Sequence, residues 1–481
     1  MAGANPKIEE TPTVAPTVES TQTAAPIYYD YNISFEITDI ESRSFTGYQS
    51  VNFVNTSDGP IDRVYFNLPV NALNSSTLAD SNILSHLYYE GIRSNGYLDI
   101  INPKIDGGPV KYNLNHTSLE LILDEELLPA QKVEIAFNFE GIIPSIKYYF
   151  GANDNIIWVS NMLPQLAILN DRGWNTDISY LVGDPHFTNC SNYTVLFTIP
   201  EGYTIVCSNP VSTSSPGGGG NKKTVTYKNN NTRNFSFAVF KDSQVQQAKF
   251  NYSKDLDINF YFYSDTAKER IEDIQNAAKS ALDFCNANIG RYPYTSIDFI
   301  EIDYYKQGGF SAAQNIFLDS GSMGSVSENT IASLVAKQWF SAIIGSDQIK
   351  SPWISEGLSA LIADNITTEN IHNSLEREYL ELEKFLESIE DSSMLLDLSA
   401  YKDNYEYTKI QVTRSKLMFY ALQKNMGNYR FYEFLKSMFI NYSFNIIDRG
   451  SLIMLASEAY DKPLGEFFAE WQEGYTLPEF L

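Results

Sequence analysis

The chain has 481 residues, enough for two or three domains at roughly 100–200 residues each, and its 43% hydrophobic and 14% aromatic content can fill large cores. Thirty-four Lys and Arg against 59 Asp and Glu leave a formal net charge of -25. A chain without a basic footprint is a poor binder of phosphate backbones, so nucleic acid is excluded as a partner, and the lack of any apolar run of ~18 residues excludes a transmembrane helix.

Residues 1–27 are rich in Thr, Pro, Ala, Val and Glu. Such a composition buries too little surface to offset the entropy of ordering, and a disordered tail is expected. Thr/Pro spacers of this kind tether extracytoplasmic domains to a surface anchor, which gives the expectation of an extracytoplasmic protein with a membrane tether upstream. An ordinary frayed terminus fits the composition equally well.

From Tyr28 to about Lys241 the apolar period is two: Val133, Ile135, Phe137 and Phe139 alternate, as do Tyr193, Val195, Phe197 and Ile199 before Pro200. The tract "SSPGGGGNKK" from Ser214 reads as a hairpin tip. This predicts an all-β domain over 28–245, a large twisted sandwich or saddle.

The period then changes. Ile271, Ile274, Ala278, Leu282 and Cys285 recur at helical spacing, with Thr266 and Glu269 as a capping box and Gly290 near the C-cap. Residues 246–481 are expected to form a second, α-rich domain with one extended segment, "SIDFIEID". The fold class is therefore α+β and multidomain. The acidic run "TENIHNSLEREYLELEKFLESIEDSS" reads as a solvated helix face.

Cys190, Cys207 and Cys285 lack metal-ligand spacing and allow at most one disulfide; His86, His116, His186 and His372 lie far apart in sequence. No local histidine metal site is expected, and His186 in "GDPHF" reads as a packing residue.

One helix stands out, "SLVAKQWFSAIIGSDQIKSPWISEGLSA" (Ser333–Ala360). Ser333 and Lys337 share a face one turn apart, and eighteen residues separate Lys337 from Glu356. That is the spacing of H-E-x-x-H-x18-E, in which two imidazoles and a carboxylate hold zinc. "KQWF" with "GSDQIKSPWISEGLSA", "GGFSAAQN" upstream, "GWNTDISYLVGDPHFTNCSNYTVLFTIPEGYTIVCSN" earlier still, and "VTRSKLMFYALQKNMGNYRFYEFLKSMF" downstream occur in order. Together these blocks resemble the alanyl-aminopeptidase-type gluzincin metallopeptidases, from about Tyr28 to Leu481.

The resemblance implies an N-terminal β domain, a thermolysin-like domain and an interdomain peptide cleft. Carried over by position, it puts Ser333 and Lys337 at the two zinc histidines, Leu334 at the general base and Glu356 at the third ligand. Ala313, Gln314 and Asn315 fall in the exopeptidase motif that lines the substrate cleft, Gln314 at the amine-binding glutamate. Val412 falls at the oxyanion tyrosine, with Tyr405 and Tyr407 nearby. An alkyl group is no base, and a serine with a protonated lysine cannot hold a catalytic zinc. The expectation is a degenerate pseudopeptidase with no zinc cofactor, binding a peptide or protein or serving a structural role. The alternative is a related hydrolase with altered or recruited metal ligands. Lys337 is expected to pair with Glu356 in place of the metal, and Gln314 to leave any peptide binding indifferent to a free N-terminus.

Overall fold

A computed structural model describes residues 29–74, 87–91, 94–170, 172–176, 182–184, 186–214, 221–306, 308–322, 326–474 and 476–480. The tail 1–27, the glycine tract 215–220 and His86 lie outside these residues.

The N-terminal half is built on an eight-stranded sheet. Its centre is Tyr29–Asp39, paired parallel to Ser191–Pro200 and antiparallel to Ser44–Val54, which in turn pairs with Lys132–Ile142. Strands Pro210–Ser214 and Lys222–Thr232 pair antiparallel on either side of the glycine tract. Two four-stranded sheets and a two-stranded one, Leu169–Asn170 with Gly173–Trp174, complete the half among the described residues. The period-two pattern read from sequence appears as alternate burial in Ser191–Pro200, whose Tyr193, Val195, Phe197 and Ile199 face the core. That core is strongly aromatic: Phe35 stacks on Phe45 at 5.1 Å and meets Phe197 and Phe237 edge-on.

The second half departs from a mainly helical domain with one extended segment. It opens with a five-stranded sheet, ordered Val245–Ser253, Leu256–Tyr263, Ser296–Ile302, Asn315–Asp319, Gly309–Ala312. Ser296–Ile302 and Asn315–Asp319 are buried at every position because both faces are covered. Ile297, Phe299, Ile316 and Leu318 join the helical core, whereas Ile300, Ile302 and Phe317 join the core of the β half. One sheet is thus the shared wall of the two halves. It fixes where the helices can sit relative to the β domain.

On the helical side, Lys268–Asn288 buries Ile271, Ile274, Ala278, Leu282 and Cys285. Thr266 does not cap it; its hydroxyl donates to Glu301 Oε2 at 2.6 Å, and the N-cap is Ala267. Gly290 follows the C-cap, where a side chain would collide with the Phe439 ring. The acidic helix Ile371–Leu386 buries Leu375, Tyr379, Leu382 and Leu386 along one stripe; Glu376, Glu381 and Glu383 are exposed, while Glu378 turns in to the buried Lys416 at 2.7 Å. All three cysteines are free and buried. Among the described residues no helix is long and apolar enough to cross a membrane.

Candidate functional site

Helix Glu328–Lys337 starts at Ser327, whose hydroxyl accepts the Thr330 N–H at 3.1 Å. Ile331, Leu334 and Val335 bury one face, which leaves Ser333 and Lys337 half-buried on the other. The chain then continues as a π-helical turn, Gln338–Ile343, anchored by the buried Trp339. A second helix, Trp353–Thr367, carries Glu356 in its first turn. The two helices pack so that Lys337 Nζ donates to Glu356 Oε1 at 2.8 Å.

Three further groups face this pair. The Tyr407 hydroxyl lies 3.4 Å from the same Glu356 oxygen. Burial first, and then the Glu356 charge, push the Tyr407 phenol well above its ordinary pKa, so it is a neutral donor. Val412 lies beyond it, in the π-helical turn Thr408–Arg414, and packs against the helical core. The hydroxyl that reaches Glu356 therefore comes from Tyr407, five residues before the position aligned with the oxyanion tyrosine.

Lys306 and Asp184 complete the electrostatics. Burial would lower the Lys337 pKa, but the charge and hydrogen bond of Glu356, with Asp184 farther off, outweigh it, and the ammonium titrates above its usual range. Lys306 makes no ion pair among the described residues, although the charges of Asp184 and Glu356 act against the effect of its burial. Its amine donates to the Gly183 carbonyl at 2.8 Å, and burial pushes its pKa down to about 8. The same carbonyl accepts from Tyr149 Oη at 2.9 Å, while the Gly183 N–H donates to Asn404 Oδ1 at 3.2 Å. Gly183 needs its φ of 70°, and a Cβ there would press on the Tyr407 ring.

The exopeptidase-like segment folds differently from a stretch presenting Gln314 to a ligand. Gly309–Ala312 and Asn315–Asp319 are joined by a tight turn at Ala313 and Gln314, with Gln314 at φ 66°. This reversal buries the Gln314 side chain completely and points it at Asn209, whose Nδ2 donates to Gln314 Oε1 at 2.7 Å. Asn315 is also buried, donating to Ser236 in the β half. Ala313 lines a cavity of about 30 Å³ that also touches Ser311, His186 and Arg233. Gln314 and Asn315 are thus both buried, their side chains turned to Asn209 and Ser236.

Two residues that organise this region were invisible to motif reasoning. The Gln338 amide donates to Ser311 Oγ at 2.6 Å and to the Ala312 carbonyl at 2.7 Å, while its oxygen accepts from Tyr292 Oη and the Gln314 N–H. It thereby clamps the turn. Arg233, from the β half, donates to the carbonyls of Thr188, Ser341, Ile343 and Asn445, bridging to the carboxyl end of the π-helical turn. Only Gly345 leaves room for that guanidinium, since a Cβ would lie 2.2 Å from its carbon.

His186 lies edge-on to Tyr149 at 4.6 Å, with Nε2 3.7 Å from Asp184 Oδ1. Burial holds its pKa below the usual imidazole value. His372 stacks on Phe480 and contacts Tyr420 Oη, far from His186 in the sequence. Among the described residues, no group of three or more His, Cys, Asp or Glu side chains is placed to hold a metal ion.

No protein-family profile and no curated protein sequence matches the chain. Solved structures do. The M1 zinc metallopeptidase of Deinococcus radiodurans aligns with a TM-score of 0.66 at 13% identity, covering 96% of this chain and 98% of that one. A mutant of that protein bound to the substrate Tyr-Ser-Ala gives 0.66 at 14% identity over 95% of this chain and 96% of that one. A two-domain M1 zinc metallopeptidase mutant bound to L-arginine gives 0.67 at 13% identity over 96% and 97%. The β half, the shared wall and the helical half thus recur together, and over nearly its whole length the chain has the fold of the M1 zinc metallopeptidases.

Proposed function

We propose that this protein is a pseudopeptidase: a catalytically inactive M1-like protein that holds no zinc and acts outside the cytoplasm as a peptide-binding, protein-binding or structural protein. The ion pair between Lys337 and Glu356 carries this reading. A catalytic zinc takes three protein ligands with lone pairs and keeps a fourth position open. Ser333 offers a neutral hydroxyl, and Lys337 an ammonium whose raised pKa keeps it protonated. Glu356 offers a carboxylate already engaged by that ammonium and by Tyr407. This donor set does not fit zinc. Leu334, buried and aliphatic, supplies no general base.

Lys337 instead keeps Glu356 from being a buried, unpaired charge, so the site is balanced without a metal. The extracytoplasmic placement rests on the Thr/Pro-rich composition of residues 1–27. The test is metal content of the purified protein by mass spectrometry, zinc titration calorimetry, and hydrolysis of aminoacyl p-nitroanilides. No stoichiometric metal, no zinc binding and no turnover are expected. One tightly held metal per chain, with turnover that a chelator abolishes, would overturn the reading in favour of recruited ligands.

A further inference from the structure

Lys416, in helix Ser415–Met426, is 8% exposed and meets carboxylates from two other helices. Its ammonium donates to Glu378 Oε1 of helix Ile371–Leu386 at 2.8 Å. It also stands 2.8 Å from Oδ2 of Asp364, in the last turn of helix Trp353–Thr367.

The two contacts differ in kind. Glu378 is half-buried and takes an aligned hydrogen bond. Asp364 is 8% exposed, and its two oxygens are unequally engaged. Oδ1 accepts the Asn329 amide at 2.8 Å, whereas the buried Oδ2 accepts no aligned hydrogen bond from the described residues, Lys416 included. A buried amine therefore touches a buried carboxyl group without being committed to it as a donor. Burial is the largest influence on Lys416 and would strip its proton, but the charges of Asp364 and Glu378 outweigh it and keep the proton within the triad. Two carboxylates against one ammonium leave excess negative charge where little water reaches, a costly arrangement.

We propose that Lys416 and Asp364 condense to an intramolecular isopeptide bond, with Glu378 shuttling the proton. The ammonium gives one proton to Asp364 Oδ2. The neutral amine then attacks Cγ, and the Nζ–Cγ bond forms. Glu378 takes the next proton from nitrogen and passes it to the departing hydroxyl, so that the Cγ–Oδ2 bond breaks and one water leaves. Oδ1, held by Asn329, remains as the amide carbonyl. Ammonium and carboxylate become amide and water, Glu378 returns to its carboxylate, and no oxidant or cofactor enters. Packing of the three helices supplies the effective concentration that condensation needs. The bond ties the helix that carries Glu356 to the helix that follows Tyr407 and its π-helical turn. It is independent of the metal content of the Lys337 site.

The test is the intact mass of the full chain by electrospray mass spectrometry, followed by tryptic mapping. The mass should lie about 18 Da, one water, below that of the sequence, and the map should contain a branched peptide joining the segments of Asp364 and Lys416. Lys416→Met should keep the full mass, and Glu378→Gln should form the bond at least about tenfold more slowly, with circular dichroism showing that both variants fold. If either variant fails to fold, the branched peptide of the unaltered chain decides alone. An unaltered chain that keeps its full mass on ageing after folding would overturn the proposal. So would a loss of one water that maps to other residues, as in a succinimide, or that persists in Lys416→Met. Bond formation in Glu378→Gln at the unaltered rate would overturn the role of Glu378.

Discussion

Lys337 and Glu356 meet at 2.8 Å across two packed helices, the lysine side chain 21% exposed and the glutamate 10%. At that depth the carboxylate depends on its partner, because removing one member of a buried pair strands the other charge. Lys337→Met should therefore destabilise the fold by about 3 kcal/mol in urea denaturation. Lys337→Met/Glu356→Leu should recover most of that loss, because two apolar side chains strand nothing. A single variant costing under about 1 kcal/mol would place the pair among weak surface interactions.

Arg233 reaches from the β half to carbonyls at the end of the π-helical turn, and among the described residues it forms no ion pair with a carboxylate. Those carbonyls need its planar fork. Arg233→Ala should cost about 2 kcal/mol by taking the side-chain donor from the Thr188 and Ser341 carbonyls, while the Ile343 and Asn445 carbonyls keep the N–H groups of Phe444 and Gly345. Arg233→Lys should restore little of this, since an ammonium lacks the fork geometry. Equal melting temperatures for the lysine variant and the unaltered chain would show that charge alone suffices.

The sequence carries some of these relationships and hides others. Lys337 and Glu356 can be read because helix periodicity and the x18 spacing are local rules, and the segment between them folds compactly. Tyr407 is legible only as one of two neighbours: carrying the block over by position leads to Val412, with Tyr405 and Tyr407 beside it, and the π-helical turn Thr408–Arg414 lies between Tyr407 and the rest of that block. Gln314 misleads for a related reason, since a positive-φ turn reverses the chain and sends the amide inward. Ser296–Ile302 is legible as the extended segment "SIDFIEID", whereas Asn315–Asp319 is buried at every position and shows no alternation. Leu256–Tyr263 does alternate and could have been found. Arg233 bonds to backbone carbonyls and Gln338 to two backbone and two side-chain atoms, and no residue pattern encodes where those partners will lie.

Gln314 provides a check on that reversal. Its side chain is fully buried, its oxygen accepts from Asn209, and its backbone carbonyl bonds Ser208 Oγ and the Asp298 N–H. Gln314→Glu would place a carboxylate in the same polar pocket as Asp298. The outcome should be a loss of about 2–4 kcal/mol at pH 8, shrinking toward pH 4 as the new acid protonates. Peptide binding should show no new preference for a free N-terminus, measured by calorimetry with free and acetylated forms of one peptide. A strong free-amine preference in the variant would mean that Gln314 does reach the cleft.

Asp298 itself sets the acid side of the stability profile. It is 1% exposed, with the Asn259 amide and the Ser208 hydroxyl as donors and no counter-ion among the described residues. Burial lifts its pKa from 3.8 to about 6, while the two hydrogen bonds hold it down. The folded chain thus keeps a proton that the unfolded chain releases, so this group's contribution to stability falls as pH rises from about 4 through about 6. The full difference corresponds to about 3 kcal/mol. Asp298→Asn removes the ionisation while keeping a polar group for Ser208 and Asn259. The variant should match the unaltered chain near pH 4 and exceed it by up to about 3 kcal/mol at pH 8. A variant that loses stability equally at both pH values would show that the Asp298 hydrogen bonds, and not its charge, dominate the site.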